Sequence, residues 1–318
     1  VGMSAGAAVT TGTNNTLIGG LTGDALTTGS GNTLLGSGAG GAETTGANNV
    51  IIGQAGQAQT LTNDTVAIGD GALQTNTKSA KNTAIGRSAL RVLNHTTATD
   101  AYNVAVGFNA GIAVTTGLYN TLIGGLAGDA LTDADSNVAV GQSALSSDTL
   151  GSASVAIGQN ALYSQNFTTA TNAYNIAIGK SAGETISTGV QNTIIGGLAG
   201  DALTTGDANI AIGHAALSTE DANNYNVAIG VSALETLNAG ADGYNVAIGY
   251  NAGAAATTAT HNTLIGGLAG DANTAGGDLV AVGYQALTTF NRTSGAAKVV
   301  GIGNQAFYSL TTGTQSTA

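Results

Sequence analysis

Short apolar phrases that end in glycine recur along the whole chain. A representative phrase is Asn103-Val104-Ala105-Val106-Gly107, in which an asparagine precedes three apolar residues and the glycine. Most closing glycines are 17 residues apart. So short a period, sustained over a whole chain, is typical of a solenoid, whose units stack because none can bury a core alone. The eighteen closing glycines are Gly2, Gly19, Gly36, Gly53, Gly69, Gly86, Gly107, Gly124, Gly141, Gly158, Gly179, Gly196, Gly213, Gly230, Gly249, Gly266, Gly283 and Gly303.

Each phrase predicts a short strand with two faces. The first and third apolar residues are mostly Val, Ile or Thr, and residues two apart share one face of a strand, so we expect them to point inward. The middle column is then expected to point outward, and an exposed apolar column of this length would mark an interface. Alanine fills most of the middle column, as at Ala67, Ala84, Ala105, Ala139, Ala156, Ala177, Ala211, Ala228, Ala247 and Ala281, with larger residues at Leu17, Leu34, Ile51, Leu122, Ile194 and Leu264.

The repeat predicts an all-β fold, a parallel β-solenoid of about 18 coils with repeats of about 17 residues. Because the repetition is unbroken, we expect a single domain over residues 1–318. The chain opens at Val1-Gly2, in the middle of a phrase, so we expect a fragment of a longer fibre protein.

Composition narrows the possible partners. The chain has 50 Gly and no Pro, which fits a continuous strand ladder in which every backbone N–H is needed. It has no Cys, which excludes disulfides and thiolate metal sites. A net charge of -11 disfavours nucleic acid and anionic membrane surfaces. No segment has the ~20 successive apolar residues of a membrane helix, so we expect no membrane insertion by this segment.

Two further columns flank the strand. Asparagine opens thirteen of the seventeen complete phrases, and we expect these side chains to form a structural ladder between coils. Five tyrosines stand directly before that asparagine, and the sequence leaves open whether they pack over the adjacent coil or contact glycans. They are Tyr102, Tyr119, Tyr174, Tyr225 and Tyr244.

Three coils contain extra residues, at 94–100, 164–170 and 237–243. Insertions in repeat proteins fall in loops on one edge, often the binding edge, so we expect these three loops to protrude and to hold the ligand-binding residues. The candidates are Asn94, His95, Asp100, Asn166, Phe167, Asn238 and Asp242.

Other residues suggest chemistry only weakly. The phrase Gly-Gly-Leu-x-Gly-Asp-Ala resembles a calcium-binding nonapeptide, but it recurs only about every four coils, so turn-capping is the better interpretation of its aspartates. His95, His214 and His261 lie in different coils without a metal-binding partner. Acidic pairs such as Asp133 with Asp135 and Glu220 with Asp221 have the residue types of a glycosidase, but solvated turn charges are the better interpretation. We therefore expect no metal, no cofactor and no catalytic activity. The aspartates of the motif are Asp24, Asp129, Asp201 and Asp271.

The phrase N-V-A-I-G-x-x-A, as at Asn226 to Ala233 and Asn245 to Ala252, resembles the head repeats of YadA-like trimeric autotransporter adhesins and similar repeats of phage tail fibres. The resemblance covers essentially the whole chain. It implies a left-handed β-roll, three copies of which associate side by side into a fibre that binds host surfaces. The outward alanine column is expected to supply that contact. The family's usual head repeat is shorter, so the connections here are longer.

Three functions remain open. The first is a non-enzymatic fibre segment, an adhesin head or phage tail fibre, which would be a homo-oligomer at the cell surface or on a virion and would bind a cell-surface receptor or glycan. The second is an ice-binding solenoid, because threonine pairs such as Thr27-Thr28 and Thr204-Thr205 could present a hydroxyl surface. The third is a glycan-degrading, tailspike-like fibre.

Overall fold

The computed structural model describes residues 1–240, 242–292 and 298–312. Every regular element in these residues is a β-strand, and the chain is a parallel β-solenoid of about 17 turns. The predicted fold class is therefore confirmed, with one turn fewer than there are closing glycines because Val1 and Gly2 form no strand. The left-handed course, the trimer and the single domain stay predictions. Among the described residues, no helix has the length and apolar character to cross a membrane.

The chain forms two compact units, each built from the same coil. The first unit is Val1–Ser154 with Asn166–Asn172, and the second is Val155–Gln165 with Ala173–Ala318. The strands of the first unit are β1 (Thr16–Ile18), β2 (Thr33–Leu35), β3 (Val50–Ile52), β4 (Val66–Ile68), β5 (Ser79–Ala80), β6 (Thr83–Ile85), β7 (Thr99–Asp100), β8 (Val104–Val106), β9 (Thr121–Ile123), β10 (Val138–Val140), β11 (Gly151–Ser152) and β13 (Thr171–Asn172). Those of the second unit are β12 (Val155–Ile157), β14 (Ile176–Ile178), β15 (Thr193–Ile195), β16 (Ile210–Ile212), β17 (Val227–Ile229), β18 (Val246–Ile248), β19 (Thr263–Ile265), β20 (Val280–Val282) and β21 (Val300–Ile302).

Within each unit, the three-residue strands pair in parallel and in register with the strand of the next coil. Val104 of β8, for example, is opposite Thr121 of β9, and Ala105 is opposite Leu122. Equivalent residues therefore lie directly above one another. The longer coils keep this register, and in two of them additional two-residue strands pair, β5 with β7 and β11 with β13.

The prediction of which strand face is buried is wrong. The middle residue of each strand points inward, and Ala105, Ala139 and Leu122 are fully buried. The first and third residues are half-buried or exposed, and Ile18 is 45% exposed. A strand of three residues has one position on one face and two on the other, so alternation alone does not say which face is inside. The narrow interior admits only one strand side chain per coil.

The rest of the interior is filled by the turn that follows the strand. Counted from the closing glycine, the third residue is usually a buried alanine such as Ala110 or Ala144, and the fourth is leucine or glycine. The seventh residue also points inward, as Leu93 and Ile186 do. Burying these side chains stabilises each coil by about 25 cal/mol per Å² of apolar surface removed from water.

The size of the fourth turn residue compensates for the size of the middle strand residue. Where the strand supplies Leu122, the turns before and after that strand have Gly111 and Gly128. A Cβ at these glycines would lie 2.6 and 2.8 Å, respectively, from a methyl carbon of Leu122. Where neighbouring strands supply alanine, as at Ala139 and Ala156, the turn supplies a leucine, Leu145. The recurring Gly-Gly-Leu-x-Gly-Asp-Ala motif thus marks coils in which the large side chain comes from the strand.

The predicted asparagine ladder is confirmed. The Asn103 Oδ1 accepts the backbone N–H of Asn120 at 2.9 Å, and the Asn103 Nδ2 donates to the Gly117 carbonyl at 2.8 Å. The same pair of bonds recurs from coil to coil, for example at Asn192 and Asn209. Because these amides are buried, each lost bond would leave a polar group unpaired.

The size compensation can be tested with a pair of substitutions. We expect Leu122→Ala to reduce the free energy of unfolding by about 2–5 kcal/mol, because it leaves a cavity. Adding Gly128→Leu should recover part of this loss, since the new side chain enters the vacated space at a position where Leu145 and Leu162 have similar backbone angles. Chemical denaturation of the single and double variants measures both effects.

Gly125→Leu is the matched control, because a Cβ at Gly125 would meet no atom within 4 Å. It adds the same side chain outside the core and should recover nothing in the Leu122→Ala background. Equal recovery by both leucines would refute the compensation.

Candidate interaction surfaces

The outer face of each unit consists of the first and third residues of its three-residue strands. These positions hold only Thr, Val, Ile and Leu, with no charged side chain among them. Several remain well exposed, including Ile123 at 38% and Ile265 at 36%. The in-register pairing aligns them in columns, so the outer face is a mainly apolar strip.

The edge file is the column of residues directly before the phrase-opening position, and it contains the five predicted tyrosines. All of them are exposed and have positive φ angles of 49–63°. Tyr102 stacks on Tyr119 with ring centroids 5.9 Å apart. Tyr225 stacks on Tyr244 at 5.0 Å, and Tyr244 stacks on His261 at 5.4 Å. The rings thus pack on one another along the coils while their rims remain in solvent.

A lysine of the edge file lies at one end of the Tyr102–Tyr119 stack. Lys81 forms an ion pair with Asp100 at 2.6 Å, donates to the Tyr102 hydroxyl and lies 5.1 Å from the centroid of that ring. The hydrogen bonds to Asp100 and Tyr102 raise the pKa of Lys81. The predicted site residue Asp100 is therefore an exposed partner of this lysine.

The first insertion is tied to the neighbouring coils. Asn94 accepts the Thr77 hydroxyl at 2.6 Å. His95 has both ring nitrogens in hydrogen-bonding contact, with Ser79 at 2.6 Å and with the Thr116 carbonyl at 3.0 Å. Both predicted site residues therefore join coils together, and His95 has no ring nitrogen left for a ligand.

The second insertion differs from the prediction at one of its two candidate residues. Phe167 was expected in a protruding loop, but it is only 6% exposed, and its backbone N–H binds the Asp148 carboxylate inside the coil. The Phe167 ring fills the part of the interior that the short, polar side chain of Asp148 does not occupy. Asn166 is exposed and accepts the Thr149 hydroxyl at 3.0 Å. Of these two candidates, only Asn166 lies at the surface.

The third insertion, residues 237–243, includes Ala241, which lies outside the described residues. Asn238 is exposed, and its backbone N–H binds the Thr257 carbonyl. Asp242 is exposed beside the edge file, where it accepts the Asn224 side-chain amide at 2.7 Å and the Tyr244 hydroxyl at 3.5 Å. Asp100 and Asp242 therefore both stand next to an edge-file ring.

The motif aspartates and the histidines do not come together as a metal site. Within residues 1–240, 242–292 and 298–312, no three His, Asp or Glu side chains are grouped so that they could hold an ion. Asp129 accepts the Ser146 hydroxyl of the next coil, and burial raises the pKa of Asp201 and Asp271. His261 belongs to the edge file.

Two buried carboxylates depart from the sequence analysis: Glu43 was not singled out, and the expectation that Glu220 is a solvated turn charge is wrong. Glu43 and Glu220 occupy the inward seventh position and are fully buried. Burial raises the pKa of Glu43, while its hydrogen bonds with Thr62 and Gly46 lower it. Burial likewise raises the pKa of Glu220, to about 7, although the backbone N–H groups of Asp221 and Asn223 donate to its Oε1. A signal was available, because the seventh position otherwise holds mainly aliphatic residues.

Glu220 occupies a position at which an asparagine side chain makes two local hydrogen bonds in another coil. At the same position in a later coil, Asn273 accepts the Gly276 N–H and donates to the Gly276 carbonyl. Glu220 accepts the equivalent N–H of Asn223, but no described group pairs with its buried Oε2. A protonated carboxyl can donate as the Asn273 amide does, which favours the neutral acid in the folded state.

Comparisons of the chain with protein-family models, with curated proteins and with solved structures find no match. The surfaces described above are therefore the basis for assigning a function.

The raised pKa of Glu220 predicts that stability falls as the pH rises. Between the ordinary value of 4.5 and about 7, the folded state binds more protons than the unfolded state, so the contribution of Glu220 is lost through this window. We expect a loss of about 1–3 kcal/mol between pH 5 and pH 8. Glu220→Gln should remove this loss and be more stable than the native chain at pH 8, as measured by urea denaturation at each pH.

Glu235→Gln is the control, because Glu235 is half-buried and its substitution makes the same chemical change outside the core. It should leave the pH dependence of stability as it is in the native chain. A Glu220→Gln variant whose stability varies with pH as the native chain's does would overturn the assignment.

Proposed function

We propose that this chain is a non-enzymatic structural segment of a fibre, such as an adhesin head or a phage tail fibre. Copies of it associate side by side through the outer face and present the edge file and exposed insertions to a cell-surface receptor or glycan. The segment acts at a cell surface or on a virion. The observation that carries the proposal is the apolar outer face.

An uncovered apolar face is unusual for a parallel sheet. Parallel sheets occur almost only with both faces covered, and their strands are then apolar at nearly every position. The strands Val104–Val106 and Ile210–Ile212 have this composition, although only their middle residues are covered within the chain. Burying the first and third residues against another surface would stabilise the assembly through the hydrophobic effect.

A second copy of the chain matches the outer face better than an unrelated protein does. The columns repeat at a fixed spacing because the strands are paired in register, and another copy has the same spacing at every coil. Three copies are what the resemblance to YadA-like heads implies. The contact expected along the alanine column is replaced by one along the Val and Ile columns, since the alanines are inside.

The acidic pairs support a structural role over a catalytic one. Glu220 is buried while its neighbour Asp221 is exposed, so the two carboxyls do not face a common space. Asp133 accepts the Thr116 hydroxyl, and Asp135 accepts the backbone N–H of Leu118. These bonds connect successive coils and orient neither carboxylate towards the other.

The self-association can be tested with charges on the outer face. We expect the native chain to sediment as an oligomer at micromolar concentration. The double substitution Ile123→Glu and Ile265→Glu should convert it to a monomer with an unchanged circular dichroism spectrum, because the two side chains point out of the coil and their charges would be buried only at a contact between copies.

Leu61→Glu is the control for the loss of an exposed apolar side chain. Leu61 is 45% exposed and lies in the segment that returns to the strand, away from the outer face. This variant should remain an oligomer. A native chain that sediments as a monomer would refute the proposal.

A second candidate, ice binding, is favoured by the regular spacing of the outer face. The hydroxyls of Thr27 and Thr204 are not available for it, because they donate to carbonyls of the next coil. Six of the described three-residue strands do begin with an outward threonine, but Val or Ile interrupts the series: Thr16, Thr33, Thr83, Thr121, Thr193 and Thr263.

We expect no thermal hysteresis at micromolar protein, because an ice-matching surface needs an uninterrupted array. The measurement is made on the native chain and on the Ile123→Glu, Ile265→Glu variant. Because this variant is expected to be a monomer, no second copy covers its outer face. Hysteresis in either sample would favour ice binding over the fibre.

A further inference from the structure

Each aromatic stack of the edge file ends at a small residue on one side. In register after Lys81, Tyr102 and Tyr119, the next two coils of the first unit have Ser136 and Ala153. Tyr102 lies between Lys81 and Tyr119. Tyr119 has Tyr102 on one side and only the short side chain of Ser136 on the other, and it is 55% exposed. One face of the Tyr119 ring is therefore open.

The space beside this open face has the height of one to two coils, about 5–10 Å. Its floor is formed by Ser136, which is exposed, and Ala153, which is half-buried. A planar or chair-shaped ring can lie there in the position that the next aromatic side chain of the stack would occupy.

Hydrogen-bonding groups line the same space. Asp135 directly precedes Ser136, and its Oδ1 accepts the N–H of Leu118, the residue before Tyr119, at 2.7 Å. This bond orients the carboxylate towards the coil of the tyrosine. An ionised carboxylate accepts about four hydrogen bonds, so capacity remains for a ligand's hydroxyl groups. The Ser152 hydroxyl, which accepts the Asp135 N–H at 2.9 Å, lies on the next coil.

A related arrangement occurs in the second unit. Tyr225 stacks on Tyr244 on one side, and the residue in register on its other side is Ala208. Asp207 precedes Ala208. Its backbone carbonyl accepts the Tyr225 N–H at 3.2 Å, whereas its Oδ1 accepts the Val190 N–H of the preceding coil at 2.7 Å. An open tyrosine face, a small residue in an adjacent coil and an aspartate before that residue thus occur in both units, on opposite sides of the tyrosine.

We propose that Tyr119 and Tyr225 are stacking platforms for a pyranose ring of a neutral glycan. A pyranose has an apolar C–H face that packs on an open aromatic ring and a rim of hydroxyls that donate to carboxylates and serines. The net charge of -11 and the aspartates disfavour anionic sugars. This inference deepens the proposed function, on which it rests, by naming the chemistry of the receptor.

Saturation-transfer NMR on the full chain tests the platforms with cellohexaose, maltohexaose and chitohexaose, and with sialyllactose as the anionic probe. We expect transfer to the ring C–H protons of at least one neutral oligosaccharide and none to sialyllactose. The double variant Tyr119→Ala and Tyr225→Ala should bind at least about tenfold more weakly. Tyr119→Phe and Tyr225→Phe should retain binding, since stacking needs the ring and not its hydroxyl.

The matched control is Tyr250→Ala together with Tyr284→Ala, which removes two exposed tyrosines outside the edge file, 60% and 54% exposed, and should leave binding unchanged. Transfer to none of the neutral oligosaccharides, or equal transfer in both double variants, would overturn the platforms. Sedimentation of the same samples separates the two proposals. An oligomer without sugar binding refutes only the platforms, whereas a monomer that binds sugar through Tyr119 and Tyr225 refutes only the fibre.

Discussion

In most turns, the coil depends on hydrogen bonds made by one buried asparagine amide. At Asn103 and Asn192, the side-chain oxygen accepts a backbone N–H of the next coil, and the side-chain nitrogen donates to a carbonyl in the segment that returns to the strand. These bonds satisfy backbone groups that the three-residue strands cannot reach. They also fix where each strand begins, and this keeps the outer face and the edge file in register.

The second constraint is the fixed cross-section of the interior. Because the backbone spacing is set by the strand ladder, the side chains that enter each coil must keep nearly the same total volume. Leu122 is accommodated by Gly111 and Gly128, while Ala139 is accompanied by Leu145. The same constraint explains why Phe167 is inside, since Asp148 at the inward position is small and polar.

The period, the parallel strands and the asparagine ladder could be predicted because each requires the same residue type at every step. The buried face could not be predicted from alternation, since Val104 and Ala105 are both compatible with either side of a strand. The large side chain of Leu122 and the missing side chain of Gly128 together indicate which strand face is buried. This signal appears only when the strand residue and the turn residue are compared with each other. Stacking of Tyr225 on Tyr244 and burial of Glu220 depend on neighbouring coils, which one phrase does not describe.

The edge file is the part of the coil with the least influence on folding. Its side chains leave the backbone at a left-handed residue and make no contribution to the core, so Tyr, Lys, Ser, Ala, Gln and His all occur there. β-branched residues do not occur there, as that backbone conformation requires. Such a position can change one residue at a time while the core stays the same, so the chemistry of this edge can vary independently of the architecture.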